Sequence, residues 1–117
     1  MRALLSWTFL VGIVVSPPLA FAQTDLENGK QQYTLYCVTC HGELGDGQGI
    51  VGKTLNPPPR DFTAGDFKFG GTDDDIFQII SDGAAPKGGS PLMAPWGAVI
   101  PEPARWNIVK YIRSLKK

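Results

Sequence analysis

Cys37-Val38-Thr39-Cys40-His41 is the stretch on which the reading of this chain turns. Two thiols and an imidazole fall at positions i, i+3 and i+4, which a helical turn places on one side. Two such thiols can add to the two vinyl groups of a haem while the next residue's imidazole reaches the iron. The Cys-x-x-Cys-His spacing is therefore a signature of covalent haem attachment. A thioredoxin-like dithiol pair is the first competing reading, but no strand-helix-strand pattern surrounds the motif. Structural zinc is the second. Such sites take four protein ligands, and the whole chain holds 2 cysteines and 1 histidine.

The motif lies in a chain of 117 residues, the size of one domain. Basic and acidic residues balance at 11 each with no block of like charge, which gives no footprint for nucleic acid or an anionic membrane surface. Residues 1–22 read as a secretory signal peptide. Arg2 supplies a positive start, Ala3 to Val15 is apolar apart from Ser6, Thr8 and Gly12, and Ala20-Phe21-Ala22 offers small residues for cleavage. The apolar run is short of the ~20 residues a helix needs to cross hydrocarbon. Cleavage leaves residues 23–117 as the functional domain, exported to the periplasm, with no stable membrane insertion. It takes Arg2 from the 11 basic residues and leaves 10 against 11 acidic ones. A core this small often needs a staple. A disulfide between cysteines three apart stabilises little, whereas a large apolar cofactor would serve.

The rest of the chain predicts an all-α fold of three to four short helices separated by long loops. Thr24 and Glu27 form a capping box, followed by Leu26, Gly29, Tyr33 and Cys37 along one helical face. From Gly42 to Gly71 the chain reads as loop, with glycines at 42, 45, 47, 49 and 52 that allow close approach to a flat ligand. Thr72 caps a helix through Asp73-Asp74-Asp75 with Ile76, Ile79 and Ile80 as its apolar stripe, and Gly83 ends it. The three aspartates are a helix start and not a cation site, because no further carboxylate follows at calcium-loop spacing. A last helix runs from about Glu102 to Lys116 with Ile108, Tyr111, Ile112 and Leu115 at helical spacing. The second iron ligand follows by elimination. Met1 leaves with the leader and no second histidine exists, so Met93 is the candidate, in the proline-stiffened segment Ser90-Pro91-Leu92-Met93-Ala94-Pro95-Trp96-Gly97.

These residues resemble the class I c-type cytochromes, small single-haem electron carriers, over essentially the whole of residues 23–117. Gly29, Tyr33 and the Cys-x-x-Cys-His motif look like that family's first helix, Leu55-Asn56-Pro57-Pro58-Pro59 like its proline segment, and the Met93 segment like its methionine-proline-tryptophan loop, with Ala94 inserted. The resemblance implies the cytochrome c fold wrapped around one haem c. It implies that Gly29 and Tyr33 face the C-terminal helix at Trp106, Ile108 and Tyr111, and that a backbone carbonyl, taken as that of Pro58, accepts from the haem histidine. Trp96 and Arg60 are candidates to hydrogen-bond the haem propionates, with Asp61 or solvent as the other partner for Arg60. Val38, Thr39, Ala94 and Pro95 would surround an exposed haem edge, flanked by Lys53 and Lys87. The expected function is outer-sphere electron transfer, without catalysis, by a monomer that meets a dehydrogenase, oxidase or reductase. The alternative is a haem subunit permanently docked to such an enzyme. A third reading, a peroxidase or gas sensor, requires Met93 to be off the iron.

Overall fold

The computed structural model describes residues 10–16 and 22–117. The expected leader falls largely outside the described residues; its part at 10–16 is exposed and without regular structure. Four α-helices are present among the described residues: α1 (Asp25–Tyr36), α2 (Val38–His41), α3 (Asp73–Asp82) and α4 (Glu102–Ser114). Single 3₁₀ turns lie at Gly52–Thr54, Phe62–Ala64 and Ala85–Lys87. The only β-type pairing among the described residues is an isolated bridge between Lys68 and Gly70, so the all-α expectation holds. No helix among them is long and apolar enough to cross a membrane.

Local chemistry explains the helix starts. The Thr24 side chain accepts from the Glu27 N–H at 3.2 Å, and the Glu27 carboxylate accepts from the Thr24 N–H at 2.9 Å. The same reciprocal arrangement opens α3, with Thr72 and Asp75 as partners. Each box satisfies orphan backbone donors at the helix start. At the other end α4 stops at Ser114, two residues before the expected Lys116, within the usual fraying of a last turn.

The fold is organised by the crossing of α1 and α4. A Cβ on Gly29 would run into the Asn107 carbonyl of α4 and stand 3.1 Å from the Tyr111 Cβ. Only glycine lets the two backbones come this close. Around the crossing, Asn107 donates to Asn28 at 3.1 Å, Lys110 pairs with Asp25 at 2.5 Å, and the rings of Tyr33 and Tyr111 lie 5.1 Å apart. Tyr33, Ile108, Val109 and Ile112 are buried here together with Phe62, Ile76, Ile80 and Ile100. Each large side chain so buried contributes about 1.5–3 kcal/mol relative to exposure. Two expectations change in detail. Leu26 is 48% exposed and not part of the core, because the buried face of α1 runs through Gly29 and Tyr33. Trp106 stacks on Phe77 of α3 at 4.0 Å and 11°.

Arg113 joins α3 to α4 by donating to the Asp73 carboxylate at 2.7 Å and to the Gly71 carbonyl. Gly29→Ala tests the crossing. Helix propensity alone would stabilise the variant by up to about 1 kcal/mol, but overpacking against Asn107 costs about 1–3 kcal/mol. The expected outcome is a lower thermal midpoint by circular dichroism; a raised midpoint would show that α1 and α4 have room to spare.

Candidate functional site

The motif residues form one closed turn. Cys37 ends α1 and starts α2, and its carbonyl accepts from the N–H of Cys40 at 3.2 Å and of His41 at 2.8 Å. This is the i, i+3, i+4 geometry that the spacing implies. Both cysteines are free thiols. Burial pushes the Cys37 thiol up to about 12, and neighbouring Cys40 adds to the effect, so Cys37 is a protonated thiol in this environment. Burial also lowers the His41 pKa, offset in part by its backbone partner, which favours a neutral imidazole.

That partner corrects the sequence reading. His41 Nδ1 lies 3.3 Å from the carbonyl of Arg60, and not from that of Pro58. The Asn56–Pro57 peptide bond is cis, and Pro58 is exposed. Beyond the prolines the Phe62 N–H donates to the Gly45 carbonyl at 2.7 Å, which seats the Arg60 carbonyl at the ring. An Nδ1–H donated to this carbonyl fixes the tautomer and leaves Nε2 as the unprotonated nitrogen, with its lone pair available. Phe62 stacks on the imidazole at 4.5 Å and 18° and meets Tyr33 edge-on at 6.4 Å. Sequence reasoning missed Phe62, although an aromatic three residues beyond a proline run was its available signal.

The glycines of residues 42–52 lie in a loop folded against the motif. They approach the peptide backbone of the motif itself. Gly47 N–H donates to the His41 carbonyl at 2.8 Å, Gly49 to Cys40 at 3.2 Å, Val51 to Thr39 at 3.0 Å and Gly42 to Val38 at 2.8 Å. A Cβ on Gly52 would drive into the Cys40 carbonyl, so only glycine lets the loop lie against this turn. Tyr33 completes the bracket: its hydroxyl, whose pKa burial raises, donates to the Gly42 carbonyl at 2.7 Å.

Met93 is partly buried on the segment between α3 and α4. Its carbonyl accepts from the Ala84 N–H at 3.2 Å. Trp96 packs on Tyr36 at 5.3 Å, one residue before Cys37, which lays the Met93 segment against the end of α1 that carries the motif. The Arg60 guanidinium lies 3.8 Å from Asp66 in an exposed pair, not against Asp61, whose carboxylate accepts from Thr63 instead. Lys87, read from sequence as a free flanking charge, pairs with Asp75 at 3.1 Å. Lys53 is exposed, as are Thr39, Ala94 and Pro95.

With this geometry in place, the relatives become informative. Residues 24–112 match the family described as cytochrome c oxidase, cbb3-type, subunit III. The chain belongs to the class I c-type cytochrome family. Over 89 residues, 76% of its length, this cytochrome is 28% identical to a cbb3-type cytochrome c oxidase subunit CcoP of Azospirillum brasilense. Over 37 residues, 32% of its length, it is 46% identical to the dehydrogenase subunit of an alcohol dehydrogenase (quinone) of Acetobacter aceti. A solved chain of the Kuenenia stuttgartiensis reducing HAO-like protein complex superposes with a TM-score of 0.65 at 36% identity over 77% of the cytochrome. The cytochrome spans only 28% and 5% of the two curated relatives and 42% of the solved chain.

The Asp75–Lys87 pair sets a pH dependence. Hydrogen bonds from Thr72 and Lys87 hold the Asp75 carboxyl below its ordinary value. A depressed native pKa stabilises the fold above the unfolded value of about 3.9 and loses that contribution as pH falls through the native one. Asp75→Asn is therefore expected to lower the denaturation midpoint near pH 7, with the gap from wild type closing below about pH 4. A gap independent of pH in urea titrations would remove the ionised carboxylate from this role.

Proposed function

We propose that this cytochrome carries one haem c, bonded to Cys37 and Cys40 with His41 and Met93 as iron ligands, and passes single electrons between partner proteins. The observation that carries the proposal is the His41 imidazole, held by the Arg60 carbonyl and Phe62 on a turn that also presents two free thiols. The donor set fits the group: two thiols for the vinyl positions, one neutral imidazole nitrogen and one thioether. A haem bound by these residues supplies one-electron chemistry at iron, with the raised potential that a neutral sulfur ligand and apolar surroundings favour.

The chain's own residues then have defined tasks. The bracket of residues 42–52 keeps the thiols and the imidazole in register. Arg60 orients the ring through its carbonyl. Phe62 and the buried side chains around it exclude water from the imidazole face. Trp96 and the Arg60 side chain remain the candidates for the propionates. With both His41 and Met93 engaged, a haem held here would offer no open place for oxygen or a substrate, which supports a carrier over a catalyst. Residues 1–22 direct export, and attachment takes place in the periplasm. Val38, Thr39, Ala94 and Pro95 meet the partner over a small transient surface, with Lys53 at its rim.

A second reading has a specific observation behind it. Both curated relatives are subunits of redox enzymes, one an oxidase subunit and the other a dehydrogenase subunit. This cytochrome would then be the haem module of such an assembly. Retention of a larger dehydrogenase or reductase through high-salt purification favours it; a free monomer at every salt concentration favours the carrier.

Met93→Ala is the direct test of the ligand set. The variant is expected to keep covalent haem, lose the near-infrared sulfur-to-iron band of the ferric state and bind carbon monoxide readily when reduced. Its midpoint potential should fall by a sizeable part of the ~0.8 V range that axial ligation covers. An unchanged potential in a redox titration would remove Met93 from the iron.

A further inference from the structure

Met93 is carried by a segment with no regular structure of its own, so something must hold it. Two of its anchors lie at the last turn of α3. Trp96 N–H donates to the Ile80 carbonyl at 2.9 Å and Gly97 N–H to the Ser81 carbonyl at 3.0 Å. These are carbonyls that a helix end leaves without intrahelical donors. The segment then folds back on itself, with the N–H groups of Val99 and Ile100 donating to the Trp96 carbonyl at 3.0 and 2.9 Å. The chain enters α4 immediately afterwards.

One side chain of α4 closes this arrangement. Arg105 Nη1 donates to the Gly97 carbonyl at 2.8 Å and to the Ile100 carbonyl at 2.6 Å. Its guanidinium lies 5.0 Å from the Phe77 ring centroid, a cation–π contact. Phe77 in turn stacks on Trp106. The head group is thus fixed on α3 while it holds the trailing leg of the Met93 segment. The arrangement carries a cost: the Arg105 Nε is buried without a partner, and an unsatisfied buried donor costs about 1–3 kcal/mol. Among the described residues Arg105 forms no ion pair that would offset it. A cation kept here for two main-chain carbonyls is better explained by the position of those carbonyls than by charge.

We propose that Arg105 is a positioning residue for Met93. By tying Gly97 and Ile100 to α4 it limits how far the trailing leg of the segment can lift, and so limits how often the thioether leaves the iron. The inference rests on the reading of Met93 as the second axial ligand. Arg105 touches neither the haem site nor the motif; it acts through the backbone between Trp96 and Pro101.

The test uses the haem-loaded protein with Arg105→Gln, Arg105→Lys and Phe77→Leu, the last removing the aromatic platform while leaving the arginine. Three quantities are read: the ferric near-infrared band, the rate of carbon monoxide binding to the ferrous protein, and the thermal midpoint. External ligand binding scales with the fraction of protein in the open form. The expected result is a weakened band and carbon monoxide binding faster by about tenfold or more in Arg105→Gln, with partial recovery in Arg105→Lys. Phe77→Leu should fall between Arg105→Gln and wild type. A lower thermal midpoint with an unchanged band and unchanged carbon monoxide rate would overturn the proposal and leave Arg105 a stabiliser only. A wild-type protein that lacks the band and binds carbon monoxide as fast as Met93→Ala would instead sink the ligand reading itself. If Arg105→Gln does not fold, Arg105→Lys and Phe77→Leu decide the matter by the same readouts.

Discussion

Every backbone carbonyl from Cys37 to His41 has a donor, and the rest of the site depends on that constraint. Cys37 is bonded within the turn, while Val38, Thr39, Cys40 and His41 accept from Gly42, Val51, Gly49 and Gly47. A four-residue helix has almost no stability of its own, since nucleation is costly and few internal bonds follow. The loop after it supplies the missing bonds, and glycine at 52 lets that loop come close enough. The crossing at Gly29 performs the same service one level up, by fixing α1 on α4 so that the turn at its end has a defined position. Tyr33 connects the two, buried at the crossing and bonded to the Gly42 carbonyl. Close backbone approach thus serves both the fold and the site.

Much of the fold was legible because it depends on local chemistry. Thr24 with Glu27, the aspartate-rich start after Thr72 and the isoleucine spacing of the third and fourth helices all act within one or two turns. Gly29 was legible through its cost, since a glycine in mid-helix calls for a close neighbour. The loops were less legible. The partner of His41 lies nineteen residues away, and which carbonyl arrives depends on how Phe62 and Gly45 fold the chain back after the prolines. Pro58 was a reasonable choice from the motif and the wrong one by two positions. The glycines of residues 42–52 signalled close approach, but not that the approached surface is backbone. Lys87 was read as a charge flanking the haem edge, and its pairing with Asp75 depends on how the turn after α3 folds back; Asp75 both opens α3 and holds Lys87.

The relatives place the chain in its family without saying what it serves. They are subunits of an oxidase and a dehydrogenase and a chain of a reducing complex, and the cytochrome matches a fraction of each. That pattern fits a module reused wherever one electron must cross between larger centres. In this chain selectivity for that task comes from a short inventory. Apart from Met1 the chain holds one histidine and one methionine, and the fold places one on a braced turn and the other on a segment laid against the same end of α1 through Trp96 and Tyr36.

The central claim is that the Cys37–His41 turn bonds one haem covalently. Mass spectrometry of the denatured protein, expressed with a periplasmic haem-attachment system, tests it most directly. The expected result is a chain heavier by the mass of one haem, resistant to acid and organic solvent, and restored to the apoprotein mass by Cys37→Ser with Cys40→Ser. A wild-type chain at apoprotein mass, or an adduct that survives loss of both cysteines, would contradict it.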